Sequence, residues 1–400
     1  MRDRRLDELL GEHVEELVAF RRRLHEHPEL SWEEHETTAA LRERLELAGV
    51  VTHALSTPTG LRADLGGGDG PIVLLRADID ALPIQDEKAV AYRSTVDGVC
   101  HACGHDVHTA VVLGAGLVLQ RLLGDGGGRV RLLFQPAEEA MPGGAEALHR
   151  TEVMDDVAVA FALHCDPGLE VGRVGLRAGP ITSAADRVVI RLHGPGGHTA
   201  RPHLTSDLVF ILGRLITDLP TALSKLTDAR DALTMVFGRV EAGHAANVIP
   251  THAELYGTLR VRGRDTWDAV QPMVAELVSS IVTPLGATYE LDYLRGSPPV
   301  DNDPQAVAVL RAAVTAGLGS EAVAAAAQSV GNEDFSWLLE RAPGAYGRLG
   351  VRRPDATEIT DLHAGGFDVD EGLHRRRRPG ARARRADRPR HLRALIVRRG

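Results

Sequence analysis

Pro71-Ile-Val-Leu-Leu-Arg-Ala-Asp78-Ile-Asp80 is a short apolar run that ends in two acids. A run of this length and composition reads as a strand buried on both faces, the kind found in parallel sheets. Side chains alternate along a strand, so Asp78 and Asp80 share one face at its C-terminal end. In α/β sheets that edge is where ligands bind. Alone, the same acids would serve equally well to cap the strand's exit. Two more apolar strands end alike: Arg129 to Gln135 runs into Pro136-Ala-Glu138-Glu139, and Val157 to Leu163 runs into His164-Cys165. Three strand ends in phase, each delivering metal-competent groups, point to a site on one edge of a sheet.

Between the first two strands lies Cys100-His-Ala-Cys103-Gly-His105-Asp-Val-His108, which holds two thiols, three imidazoles and one carboxylate. In an extended segment Cys103 and His105 turn to the same side, where both reach one cation at roughly 2.0–2.3 Å. Thiolate and imidazole suit a borderline-soft transition ion better than Mg²⁺ or Ca²⁺. In a chain with 18 His a short His/Cys run also arises by chance, so the remaining strand ends decide. The Cys100 to Cys103 spacing is also C-x-x-C, which can close a disulfide and so lock Cys103 away from metal under oxidation.

The surrounding elements fit an α/β sheet with helices on both faces. Leu6, Leu9, Leu10, Val14, Leu17 and Leu24 follow a helical period, a second helix covers 33–48 and ends at Gly49, and Asp106 to Leu123 reads as an apolar core helix. From about residue 183 the pattern changes to strand 186–193, helix 204–219, strands 233–241 and 252–261, helix 265–283 and strand 288–295. This β-α-β-β-α-β order fits a ferredoxin-like module inserted into the first domain. Signals of the first domain then resume, with Asn332-Glu-Asp-Phe-Ser336 opening a helix and Leu362-His363 ending a later segment. The expected division is 1–182 and 296–374 for the first domain, 183–295 for the insertion and 375–400 for an atypical tail.

With 400 residues, 44% of them hydrophobic, the chain can bury a sizeable core. The charged N-terminus lacks an apolar leader and no run of about 18 apolar residues occurs, so a cytoplasmic protein without membrane contact is expected. Three Cys are too few for a disulfide framework. Net charge is −9, yet residues 375–400 contain twelve Arg and one Asp. Such a tail could bind nucleic acid, but the body is acidic and carries no recognition motif, so none is expected to bind. An Arg, Pro and Ala mixture of this kind is also what a shifted reading frame in GC-rich coding DNA produces, and dense like charge predicts poor order.

The stretches Arg76-Ala-Asp78-Ile-Asp80-Ala-Leu-Pro, His101-Ala-Cys103-Gly-His105-Asp106, Phe134-Gln-Pro-Ala-Glu138-Glu139, Gly196-Gly-His198-Thr-Ala, Asn247-Val-Ile-Pro250, Gly257-Thr-Leu-Arg260 and Glu333-Asp334-Phe335-Ser336 resemble the M20 metallopeptidase family. The branch is that of N-acyl-amino-acid and hippurate amidohydrolases, with the indole-acetyl-amino-acid hydrolases. The resemblance covers roughly 15–374 in order. It implies a zinc-peptidase-like catalytic domain and a dimerisation insert.

It also implies two divalent ions (Mn²⁺ or Zn²⁺, with Co²⁺ or Ni²⁺ as alternatives) bound by Cys103, His105, Glu139, His164 and His363. Glu138 is then the general base and Asp80 the acid that orients a ligand. Such a pair of ions polarises a carbonyl and lowers the pKa of a bridging water toward 7. Glu138, beside a ligand carboxylate, can take that water's proton and pass it to the leaving amine. Where the wider superfamily has His-x-Asp this chain has Asp78-Ile-Asp80, a departure that leaves Asp78 supporting a ligand. By the same resemblance His198 reaches into a partner's site to stabilise the oxyanion, Asn247 contacts the tetrahedral intermediate, and Arg260 pairs with a substrate carboxylate. The implied substrate is an N-acyl amino acid. A dipeptidase or a deacetylase of the diaminopimelate route would use the same centre, and a metal-binding homologue without activity is the reading from another class.

Overall fold

The computed structural model describes residues 2–124 and 127–371, so the expectation made for residues 375–400 lies outside the described residues. In chain order the first part holds α1 (Arg2–Glu26), α2 (His35–Leu47), β1 (Val51–Ala54), β2 (Leu61–Gly67), β3 (Ile72–Asp78), α3 (His105–Leu123), β4 (Gly128–Gln135), α4 (Gly144–Leu148), β5 (Val157–Glu170) and β6 (Val174–Leu176). The middle part holds β7 (Ala184–His193), α5 (Leu208–Leu226), β8 (Thr234–Ala242), β9 (His252–Val261), α6 (Arg264–Val282) and β10 (Thr288–Leu294). The chain then returns with α7 (Pro304–Leu318), β11 (Val323–Ala325), α8 (Phe335–Leu339) and β12 (Gly344–Arg352). It divides into one unit of Met1–Ile181, Asp301–Ala327 and Asp334–Gly400, and a second of Thr182–Val300 and Gln328–Glu333.

The first unit is built on an eight-stranded mixed sheet in the order β1-β2-β4-β3-β5-β12-β6-β11. Its centre is parallel: β3 pairs with β4 and with β5, and β5 with β12. The apolar run opened above is β3, and Leu74, Leu75 and Ala77 are at most 1% exposed. Such two-sided burial is what a central parallel strand requires. Helix α3 packs into the same core through Val107, Val111, Leu113 and Val118. It has the length and mean hydropathy of a membrane span, but 78% of it is buried inside the fold, as befits the core helix expected from the sequence.

One expectation needs correcting. The strand that starts at Val157 does not stop before His164 but continues to Glu170. Its parallel neighbour β12 extends the ladder, pairing Arg348 with His164 and Leu349 with Cys165. The helix expected to open over Asn332–Ser336 does open there, but only at Phe335 with Asp334 as its N-cap; Gln328–Glu333 belongs to the second unit.

That second unit is a four-stranded antiparallel sheet in the order β8-β9-β7-β10 with two helices. Helix α5 buries Leu208, Ile211, Leu212, Leu215, Leu219 and Leu223, and α6 buries Trp267, Val270, Val274, Val278 and Val282. Both rows repeat at three- and four-residue spacing, the signature of a helix with one apolar face. Asp207 caps α5 by accepting the Phe210 N–H at 3.1 Å, which moves its start later than the 204 expected from periodicity alone.

Candidate metal centre and active site

The sequence-predicted ligands come from four separate stretches of the first unit. The end of β3 delivers Asp78 and Asp80, the β4 exit delivers Glu138 and Glu139, and His164 stands within β5. Cys103 and His105 flank Gly104, which begins α3 at φ 86°; a Cβ there would lie 2.7 Å from the Cys165 sulfur, so only glycine fits. His363 arrives from far along the chain, and its N–H donates to the Ala102 carbonyl at 2.8 Å, tying it to the cysteine loop.

The donor atoms meet in linked groups. Cys103, His105 and His164 converge within 4.8 Å, as do Cys103, Glu139 and His363, and as do His105, Glu138 and Glu139. Cys103 Sγ is 3.4 Å from His164 Nε2, and Glu139 Oε1 is 3.2 Å from His363 Nε2 and 3.9 Å from His105 Nε2. The other ring nitrogens are already engaged. His105 Nδ1 lies 2.9 Å from the Asp80 carbonyl and 3.1 Å from its carboxylate, and His164 Nδ1 lies 2.8 Å from the Cys165 carbonyl. These oxygens accept an N–H, which fixes both tautomers and leaves each Nε2 lone pair facing the centre.

Burial and neighbouring charge shift these groups strongly. Burial pushes the Cys103 thiol up and the His164 imidazole well down. Hydrogen bonding to Cys103 and to Glu139 raises His363 to about 10. For Asp80 burial works to raise the pKa, but the hydrogen bond from His105 and its charge prevail and hold the carboxyl below its usual value.

The cluster fits divalent metal. His105 Nε2 is buried without a hydrogen-bond partner, an arrangement proteins seldom leave uncompensated. One thiolate, three imidazoles and a carboxylate match borderline-soft ions, and Cys103 belongs to two of the converging groups. His108 is close enough to join Asp78 and His105. It is not available as a ligand: Nδ1 is 2.6 Å from the Asp78 carboxylate and Nε2 accepts the Cys165 N–H at 2.8 Å.

Comparison with known proteins places the chain in a family. The model of peptidase family M20/M25/M40 matches residues 74–375. The chain belongs to that family. A Rhodococcus jostii protein carrying a glutamate–cysteine ligase name is 47% identical over 355 residues; the match takes in 89% of this chain and 44% of that protein, so the chain spans under half its length. The N-acyl-L-amino acid amidohydrolase of Geobacillus stearothermophilus is 39% identical over 74% of this chain and 80% of its own. Among solved structures, a dinuclear metal-binding M20 peptidase of Bacillus subtilis is 33% identical with a TM-score of 0.77, covering 90% of this chain and 93% of that one.

Three of the predicted M20 site residues lie in the second unit. His198 pairs with Val248 in a two-stranded ribbon, where the Thr199 N–H donates to the Asn247 carbonyl at 3.3 Å, so His198 and Asn247 are brought together. The His198 ring is exposed, and its Nδ1 accepts the Ala200 N–H at 3.0 Å. Arg260, near the end of β9, donates to the Val330 carbonyl at 2.6 Å.

Sequence reasoning missed the polar network beneath the centre. Arg76, 1% exposed, donates to Gln135 Oε1 at 2.9 Å, to Asp78 at 2.7 Å and to Asp334 at 2.8 Å. Asp334 also accepts from Gln135 Nε2 and from the Ala145 N–H, while its own N–H approaches Glu138 Oε1 at 3.4 Å. A buried Arg with several acceptors rigidifies the strand ends that carry the ligands. The only sequence signal was an arginine inside an otherwise apolar strand.

Proposed function

We propose that this chain is a metal-dependent amidohydrolase that cleaves the amide of N-acyl amino acids to a carboxylic acid and a free amino acid. The observation that carries the reading is the convergence of Cys103, His105, Glu139, His164 and His363 around one centre with Glu138 beside it. These five residues would hold two divalent ions, Mn²⁺ or Zn²⁺ with Co²⁺ or Ni²⁺ as alternatives. Such ions supply Lewis-acid polarisation of the scissile carbonyl and an acidified water. Glu138 takes the water's proton and returns it to the leaving nitrogen. Asp80 holds His105 in the tautomer that presents Nε2. The name of the Geobacillus relative supports the substrate class.

The second unit supplies the remaining roles. His198 stabilises the oxyanion in the site of a second copy, Asn247 contacts the tetrahedral carbon's substituents, and Arg260 takes the substrate carboxylate with its planar fork. A homodimer is supported by the free edge of β8, where Val236 is 63% and Val240 49% exposed. Bare apolar edge strands invite pairing with another chain. Buried free thiols suit a reducing cytoplasm.

The test is hydrolysis of a panel of N-acetyl, N-benzoyl and indole-acetyl amino acids, with dipeptides alongside, after loading with each of the four metals. No turnover of any N-acyl amino acid would refute the reading, and turnover of dipeptides alone would replace it with a dipeptidase. Mixing inactive His198→Ala with inactive Glu138→Gln protein should restore about a quarter of the wild-type rate, because half of the dimers are then mixed and each has one intact site. No recovery after verified subunit exchange would remove the role in trans.

A further inference from the structure

The sharp turn that carries Glu138 and Glu139 is fixed at its first residue. Ala137 is fully buried and has φ 52°, a left-handed conformation that a non-glycine residue adopts only when its surroundings hold it there. Its carbonyl accepts the Gly144 N–H at 3.0 Å. Its N–H, which has left the β4 ladder, donates to Glu34 Oε1 at 2.8 Å. Two residues on, the Glu139 N–H donates to Asp80 Oδ2 at 3.0 Å. The turn is thus held from two directions, and Glu138 lies between the two attachments.

Glu34 is well placed to be the stiffer of these supports. It is 0% exposed, and its other oxygen accepts the Thr59 hydroxyl at 2.5 Å. Its backbone is tied as well: the carbonyl accepts both the N–H and the hydroxyl of Thr38, and the Thr38 hydroxyl oxygen accepts the Gly60 N–H at 2.8 Å. A carboxyl group this buried needs a reason, since burial pushes its pKa up and disfavours its charged form. Surface salt bridging is excluded by its burial, and helix capping does not account for it, because its side chain makes no cap hydrogen bond to α2.

We propose that Glu34 is a positioning residue for the proton transfer made by Glu138: its carboxyl oxygen, held by Thr59, receives the Ala137 N–H and keeps the turn in its left-handed form. The inference rests on the function proposed above. What the place demands is an acceptor oxygen at a fixed distance, and charge is incidental. This separates two conservative changes. Glu34→Gln keeps the reach and loses the charge; Glu34→Asp keeps the charge but withdraws the oxygen by about 1.5 Å.

The experiment uses the full-length, metal-loaded enzyme and measures kcat and KM for an N-acetyl amino acid, with bound metal determined by elemental analysis. Glu34→Asp should lower kcat about 10- to 100-fold, the loss expected from displacing a reacting group by about 1 Å, with KM and metal content unchanged. Glu34→Gln should stay within about threefold of wild type, because the acceptor remains in place. A merely structural residue would lose metal or folded protein without this split. A folded, metal-loaded Glu34→Asp with wild-type kcat overturns the inference, and so does a loss in Glu34→Gln equal to that in Glu34→Asp. If Glu34→Asp does not fold, Thr59→Val frees the carboxyl from its anchor and should lower kcat severalfold; unchanged kcat there overturns the inference too. An inactive wild type would refute the proposed function itself, a result distinguishable from all of these.

Discussion

His105 and Asp106 are neighbours at the start of α3, both almost wholly buried, and they face two different polar clusters. Around Asp106 acids are answered by bases of the same chain. Its carboxylate lies 2.6 Å from Arg21 Nε and 2.8 Å from His25 Nδ1; Arg21 also meets Asp368 and Glu371, and Asp86 meets Lys88 Nζ at 3.0 Å. Around His105 the thiol, the imidazole Nε2 atoms and the Glu139 carboxylate lie against one another, with Asp80 and the Cys165 carbonyl behind the rings. The first cluster fastens α1 and the 368–371 segment to the core. The second gathers a thiol, imidazoles and a carboxylate in overlapping groups of three, the donor set that a borderline-soft cation completes.

The largest effect expected is on turnover. Glu138→Gln should retain two bound metals and lose about 10²–10⁴-fold in kcat, since general acid–base groups contribute that much and the ligand set is untouched. Wild-type rates in this variant would show that Glu138 belongs with the passive cluster. Cys103→Ala tests the other half of the site, because it removes a donor shared by two of the converging groups. The metal-to-protein ratio should fall, and the thermal stability gained on adding metal should shrink with it. An unchanged ratio would mean that Cys103 is not a ligand.

Asp106→Asn should do the reverse, costing stability while sparing metal. Burial works to raise the Asp106 pKa, but Arg21 and His25 outweigh it and hold the carboxyl far below its usual value. A depressed folded-state pKa stabilises above the unfolded value of about 3.9, and that stabilisation is lost as pH falls toward the folded value. The variant's deficit, about 3–5 kcal/mol for a broken buried pair, should therefore be full at neutral pH. It should narrow in urea titrations run below about pH 4. Metal loss in Asp106→Asn comparable to that in Cys103→Ala would dissolve the distinction between the clusters.

The sequence makes the two clusters unequally legible. Ligands at strand ends can be read because strand alternation and the apolar run are local signals, and β3, β4 and the start of β5 appear where those signals place them. His363 has no such local context and was accessible only through resemblance. The Arg76–Asp334 pair spans 258 residues and the Glu34–Ala137 bond 103, so neither leaves a periodic trace. The same distance explains the misjudged end of β5, whose ladder is extended by β12, a strand far later in the chain. The Arg21–Asp106 pair joins residues far apart in the chain, so it too leaves no local signal.

The smallest effect expected separates two cysteines only three residues apart. The C-x-x-C spacing suggested a disulfide between Cys100 and Cys103, but all three cysteines are free and buried. Cys100 is held at its backbone, where its N–H and carbonyl both pair with Leu82 at 3.1 Å, and it is buried in one packed cluster with Leu82, Ala102 and Cys103. Burial pushes its thiol up to about 11, so hardly any thiolate exists at neutral pH to start an oxidation. Cys100→Ala should thus keep full metal content and near wild-type kcat, with a stability loss of about 1 kcal/mol for the small cavity. Cys100→Met should be as sensitive to peroxide as wild type. Protection of activity by Cys100→Met would restore the oxidative lock that the spacing alone suggests, and would mean that the loop opens far enough for Cys100 to reach Cys103.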